Sequence, residues 1–188
     1  VSAGREGGGE RRVRSVTKRA LLVIDMLNDF IEPGGSLYVG RAGEEIVEAI
    51  AQEVRRFREA GEPVIFICDH HLAADPEFAM FPAHCVKGSR GAEVIDQLKP
   101  REEELVIPKR RYSAFFGTDL DLCLRELGVE ELVLVGVCTN ICVLYTACDA
   151  RMRNYKVTVL KDGVASFDEE AHRFALEQME NVLGVQVV

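Results

Sequence analysis

A chain of 188 residues with 47% hydrophobic side chains, 7% aromatics and no tryptophan can close one aliphatic core without staples. Its net charge of −8 is uneven: residues 1–19 hold six basic and two acidic side chains and are +4, which leaves −12 for the remainder. A body that acidic is a poor binder of nucleic acid or anionic membrane, and no apolar run is long enough to cross a bilayer.

Residues 1–19, VSAGREGGGERRVRSVTKR, carry no apolar stretch of the kind an export signal needs, and their glycines favour disorder. They read as a basic arm lying against the acidic body, or as an expression remnant, ahead of a single domain over 20–188. ALLVID (20–25) is a continuous apolar run suited to a strand buried on both faces. Residues 43–60 place Ile46, Ile50, Val54 and Phe57 at helical spacing, with acids early and arginines late, and Gly61 stops that helix.

PVIFIC (63–68) predicts a second strand, and 69–103 predicts loops with a short helix near 91–98. ELVI (104–107) is a third strand, and a helix over about 118–127 leads to a fourth, ELVLVG (131–136). CTNICVLYTACDARMRN then opens a helix that Thr139 or Asn140 can cap. KVTVL (156–160) and VQVV (185–188) complete six strands around a helix over 168–182. Repeated β-α units predict right-handed crossovers and a largely parallel sheet between helical layers.

Three strand ends carry reactive side chains: Asp25 after LLVI, Lys109 after ELVIP, and Cys142 just past LVLVGVCTNI. In an α/β domain such ends converge on one crevice, so an acid, an ammonium and a thiol can meet as an activated nucleophile with its own proton carrier. Cys142 is expected in the first turn of its helix, where free N–H groups and the dipole favour a thiolate. Taken singly, each residue has a plainer reading. Cys142 would be a core cysteine, Asp25 a turn cap, and Lys109 part of a solvated basic loop with Arg110 and Arg111. Cys138, the rival thiol, lies in the turn itself, where its backbone amide matters more than its sulfur.

A second constellation sits in CDHH and FPAHC. Asp69 and His71 are two residues apart and face the same side of an extended segment, and His84 follows in a loop bounded by proline. Asp with two His offers the mixed oxygen and imidazole ligation that suits zinc, iron or manganese. The lone His172 reads as a surface or packing residue. The six cysteines, without an export signal or a C-x-x-C pair, read as reduced thiols of a cytoplasmic protein.

Together these segments resemble the nicotinamidase and pyrazinamidase branch of the isochorismatase-like cysteine hydrolases. The resemblance runs from about residue 20 to 188 and is closest in KRRYSAFFGTDLDLCLRELGVEELVLVGVCTNICVLYTACDA. It implies a three-layer α/β/α sandwich with a six-stranded, mostly parallel sheet, and a catalytic triad matching Asp25, Lys109 and Cys142. It also implies an oxyanion hole from the Cys138 and Cys142 N–H groups beside a cis Val137–Cys138 peptide. One divalent transition metal would be held by Asp69, His71 and His84, with Glu77 as a further ligand, and Phe30 and Tyr112 would pack the substrate ring.

The implied activity is conversion of nicotinamide, and of pyrazinamide, to the acid and ammonia through a cysteine thioester, a step of NAD salvage performed by a homo-oligomer. Other readings remain open at this point. One is a metal-independent relative acting on another small amide, carbamoyl or vinyl-ether substrate; others are a metallohydrolase with an incidental Cys142, and a catalytically silent binding module.

Overall fold

The computed structural model describes residues 18–188, so the expected basic arm lies outside the described residues except for its last two positions. Those two already belong to the sheet. Lys18 O accepts from Glu130 N at 2.9 Å, and Arg19 opens the first strand and pairs with Glu62, Nη2 to Oε2 at 2.6 Å.

In chain order the elements are β1 (Arg19–Ile24), α1 (Asn28–Ile31), α2 (Arg41–Glu45), α3 (Val47–Ala60), β2 (Val64–Asp69) and β3 (Leu105–Lys109). They continue as α4 (Leu120–Leu127), β4 (Glu131–Val137), α5 (Leu144–Met152), β5 (Lys156–Ala165), α6 (Glu169–Asn181) and β6 (Gln186–Val187). The sheet order is β3-β2-β1-β4-β5-β6, and every pairing is parallel. The chain winds outward from β1 to β3, then returns to the middle with β4 and winds the other way. The order therefore reverses between β1 and β4, where such sheets open a crevice at the carboxyl ends of the strands.

Alternation along β1 sends Leu21 and Val23 to one face and Leu22 and Ile24 to the other. The first face packs on Ile50, Val54 and Phe57 of α3. The second packs on Leu120 and Leu124 of α4, Ala147 and Ala150 of α5, and Met179 of α6. These are the three expected layers. Among the described residues no helix is long and apolar enough to cross a membrane, and all six cysteines are free.

Several local expectations are corrected. The helix expected over 43–60 is interrupted at Ile46 and begins at Arg41, with Gly61 in the left-handed conformation (φ 66°) at its end. The short helix expected near 91–98 is two single 3₁₀ turns, Arg90–Ala92 and Asp96–Leu98, separated by extended residues. β5 runs five residues past Leu160, because the exposed Lys161 and Asp162 interrupt its apolar pattern without ending its pairing with β4. The register of that pairing shifts between Leu134 and Gly136.

Gly136 stands where β4 leaves no room for a side chain against β1. Its φ is +116°, and a Cβ there would stand 1.9 Å from the Ile24 carbonyl oxygen of β1. No side chain fits, so β4 and β1 approach closely one step before both leave the sheet. Gly136→Ala is expected to cost more than about 3 kcal/mol, as strain and overlap add. Thermal unfolding checks this, and a melting temperature within a degree of the parent would show that the strands have room to part.

Candidate active site

Asp25 follows β1 directly and is fully buried. It leaves the strand with φ +52°, a left-handed conformation that Asp tolerates better than most residues. Its amide still belongs to the sheet, donating to Ile67 O at 2.8 Å, and its Oδ1 accepts from the Asp69 N–H at 2.8 Å. That bond ties the end of β1 to the end of β2.

Lys109 is the last residue of β3 and is 1% exposed, so it is no part of a solvated basic loop. Its ammonium ion-pairs with Asp69 Oδ1, lies 2.8 Å from Asp25 Oδ2, and donates to Cys142 Sγ at 3.3 Å. Opposed charges this close hold the Lys109 ammonium well above its ordinary range despite burial, which acts the other way. Donor atoms of Asp25, Asp69 and Cys142 lie within 4.8 Å of one another. The Lys109 ammonium fills that position, so it is a proton site rather than a second metal site.

Cys142 does not stand in the first turn of an α-helix. Residues Thr139–Val143 form a π-helical turn ahead of α5, closed by the Leu144 N–H on Thr139 O, and neither Thr139 nor Asn140 caps a helix. The Cys138 carbonyl accepts from Ile141 N at 3.0 Å and Val143 N at 3.2 Å, and the Val137–Cys138 peptide is cis.

The expected low-pKa thiolate is likewise corrected. Burial pushes the Cys142 thiol well above its ordinary range, Lys109 opposes this, and Asp25 and Asp69 add to it. Burial also raises Asp25, with help from the Asp69 charge and against Lys109, to about 6. The resting thiol keeps its proton, beside an Asp25 carboxylate whose Oδ2 is paired with the Lys109 ammonium.

Asp69 turns its other oxygen away from Lys109. Oδ2 lies 3.6 Å from His71 Nε2 and 3.7 Å from His84 Nε2, and Glu77 Oε1 is 3.9 Å from His71 Nε2. The opposite ring nitrogens are engaged elsewhere: His71 Nδ1 with Asp75 Oδ2 at 3.1 Å, His84 Nδ1 with Pro82 O at 2.8 Å. Both Nε2 atoms therefore point at one spot, and His71 Nε2 is buried without a hydrogen-bond partner. An orphaned imidazole nitrogen facing a carboxylate and a second imidazole fits a divalent transition ion.

Two residues behind this cluster escaped the sequence reading. Asp75 caps the turn at Pro76–Ala79, accepting from Glu77 N at 3.0 Å, while it also orients His71. Burial raises its carboxyl, but the bonds from Glu77, His71 and Arg111 outweigh that and lower it to about 2. Arg111 Nη1 reaches Asp75 Oδ1 at 3.0 Å and Glu77 Oε2 at 3.7 Å. The D-P-E sequence held the first signal, since Asp before Pro commonly starts a helical turn. The K-R-R run concealed the second.

The far end of the loop is pinned as well. Asp29 Oδ2 accepts from Cys85 N at 2.7 Å, next to His84, and a Cβ on Gly91 would stand 2.1 Å from that oxygen. Above the two clusters a narrow cleft is walled by Phe30, Leu37, Phe81, Tyr112, Ile141 and Phe167, and Asp69, Glu77, His84, Cys138 and Cys142 also line it. Phe30 meets the His84 ring edge-on at 5.5 Å between centroids. Burial pushes the Cys138 thiol up to about 12.

The residues expected to act on the substrate, hold a metal or pack the ring thus lie at this one crevice, whereas His172 stands outside it on α6, and solved structures share the arrangement of the chain around it. The crystal structure of nicotinamidase/pyrazinamidase PncA from Bacillus subtilis is 40% identical, covers 92% of this chain and 100% of that one, and superposes with a TM-score of 0.87. Pyrazinamidase of Pyrococcus horikoshii in complex with zinc is 34% identical, with coverage of 91% and 98% and a TM-score of 0.85. N-carbamoylsarcosine amidase from Thermoplasma acidophilum is 37% identical, with coverage of 91% and 95% and a TM-score of 0.84. The isochorismatase domain matches residues 19–187, so the chain belongs to the isochorismatase family of hydrolases.

Proposed function

We propose that this hydrolase converts nicotinamide to nicotinate and ammonia, and accepts pyrazinamide, through a thioester on Cys142. The observation that carries the reading is the position of Asp69, which faces Lys109 with one oxygen and the two imidazoles with the other. A nucleophile and a divalent metal site then share one cleft. That cleft has aromatic walls and suits a flat ring bearing a carboxamide.

In this mechanism Asp25 Oδ2 takes the Cys142 proton as the substrate arrives, and Lys109 stays protonated to steady the resulting anion. The thiolate attacks the carboxamide carbon, and the N–H groups of Cys138 and Cys142 donate to the oxyanion, where fixed dipoles lower the barrier most. Asp25 passes its proton to the leaving ammonia, then deprotonates the water that hydrolyses the thioester. Asp69, His71 and His84, with Glu77 near them, would hold zinc, iron or manganese. A bound ion supplies an electrophilic position for the ring nitrogen. Phe30 and Tyr112 pack the ring faces, and Asp75 with Arg111 keeps His71 aimed. The second reading, a different small amide or carbamoyl substrate, has support in the likeness to the carbamoylsarcosine amidase.

Cys142→Ala is expected to lower kcat by more than about a thousandfold with the fold intact, while Cys138→Ala keeps most activity. Ammonia release and circular dichroism check both, and equal losses would mean that the wrong thiol has been named.

Chelation should lower substrate affinity, and added Zn²⁺ should restore it. Among variants, Asp75→Ala is expected to weaken metal retention by about 10- to 100-fold, as loss of a ligand-orienting carboxylate usually does. Glu77→Gln should weaken it less than His71→Ala. Competition against a fluorescent chelator gives the order, and a Glu77 effect above that of His71 would make Glu77 a principal ligand.

Benzamide matches nicotinamide in shape but lacks the ring nitrogen. A site built around a polar anchor rejects such an analogue strongly, so its kcat/KM should fall by at least about a hundredfold. Aromatic packing treats the two rings alike and cannot produce that gap. Comparable turnover of both amides would overturn the ring-nitrogen anchor and favour the second reading.

A further inference from the structure

Two side-chain hydrogen bonds outside the cleft tie down the turn that carries Cys142. Ser166 Oγ, just past β5, donates to Asn140 Oδ1, and Thr139 Oγ1 lies 2.8 Å from His172 Nδ1 on α6. Thr139 is fully buried, so water cannot replace a lost partner of its hydroxyl. His172 is itself held firmly at the start of its helix. Asp168 caps α6 by accepting from Ala171 N at 2.7 Å, and the His172 N–H bonds to Asp168 O at 2.9 Å.

Thr139 begins the π-helical turn, three residues ahead of Cys142, and the turn closes on its carbonyl through Leu144 N. Moving Thr139 moves the whole turn, and with it the 3.3 Å contact between Cys142 Sγ and Lys109. Such turns are irregular and depend on outside contacts for their exact shape. Burial keeps the His172 ring below the ordinary histidine range, against a small opposing effect of Glu169. A hydroxyl both donates and accepts, so either neutral tautomer of the ring can pair with Thr139.

We propose that His172, far from being a surface or packing residue, is a positioning residue for the nucleophile. Through Nδ1 it fixes Thr139, and Thr139 fixes the placement of Cys142 against Lys109 and Asp25. His172 is not among the residues that wall the cleft and touches no reacting atom. The inference rests on Cys142 being the nucleophile and does not depend on which amide is cleaved.

The test uses side chains that imitate one ring nitrogen at a time. Asn presents an amide close to where Nδ1 stands, whereas Gln presents it near Nε2. His172→Ala is expected to lower kcat by about 10- to 100-fold, the usual effect of an ångström-scale misplacement, with KM and metal content unchanged. Iodoacetamide labelling of Cys142, located by peptide mass spectrometry, should slow in parallel. His172→Asn should recover most of both rates, and His172→Gln should not. Thr139→Val should reproduce the loss, and His172→Ala should add nothing in that background.

Normal kcat and labelling in His172→Ala would overturn the proposal. So would equal losses in the Ala, Asn and Gln variants that track their melting temperatures, because that pattern is general packing. Should the parent protein fail to hydrolyse nicotinamide while the labelling pattern holds, the substrate reading falls and the role of His172 stands.

Discussion

The buried ammonium of Lys109 between Asp25 and Asp69 is the constraint on which the rest of the architecture turns. A single charge in that interior would be costly, and removing one member of a buried set typically costs about 3–5 kcal/mol because the others lose their compensation. Each of the three charges therefore requires the other two. They stand at the ends of β1, β2 and β3, which are neighbours in the sheet, and the Asp69 amide bonded to Asp25 fixes the spacing of the two carboxylates. Cys142, arriving from β4 on the other side of β1, meets a charge arrangement that is already complete.

That arrangement also decides where the proton rests. A thiol at an exposed helix start is commonly acidified by the helix dipole. Here burial and two nearby carboxylates dominate, and the proton stays on sulfur beside Asp25, whose Oδ2 is paired with Lys109. Burial is thus what brings the Asp25 carboxyl up to about 6, where the proposed mechanism uses it as a base. In the proposed mechanism, proton transfer and attack on the substrate are coupled for this reason, and the sulfur reacts with an electrophile only as Asp25 takes its proton.

Much of this was legible in the sequence because strands buried on both faces write themselves as uninterrupted apolar runs. LLVI, VIFIC and LVLVGV announced the sheet, and the reactive residues at their ends announced the crevice. Asp69 and His71 were readable from their extended spacing once His84 joined them from the loop bounded by proline. What escaped was set by contacts between distant segments. Nothing local to Thr139 says that its hydroxyl serves a histidine thirty-three residues later rather than a helix cap. Arg111 looked like one more solvated cation until the fold brought Asp75 beneath it. The length of β5 was hidden by Lys161 and Asp162, which are exposed where the strand loses register with β4.

Asp69 has one oxygen on Lys109 and the other toward the two imidazoles, so a single carboxylate divides the pocket into two halves of different ancestry in the chain. In one half Asp25 and Lys109 stand at strand ends and cannot shift without disturbing the sheet, and Cys142 follows β4 on its π-helical turn. The other half, apart from Asp69 itself, comes from the loop over residues 70–85, pinned at its rim by Asp29 and Asp75. Loops exchange far more readily than strands. Exchange of that one loop would therefore remake the side of the pocket that faces the two imidazoles while the buried charges at the strand ends stay in place.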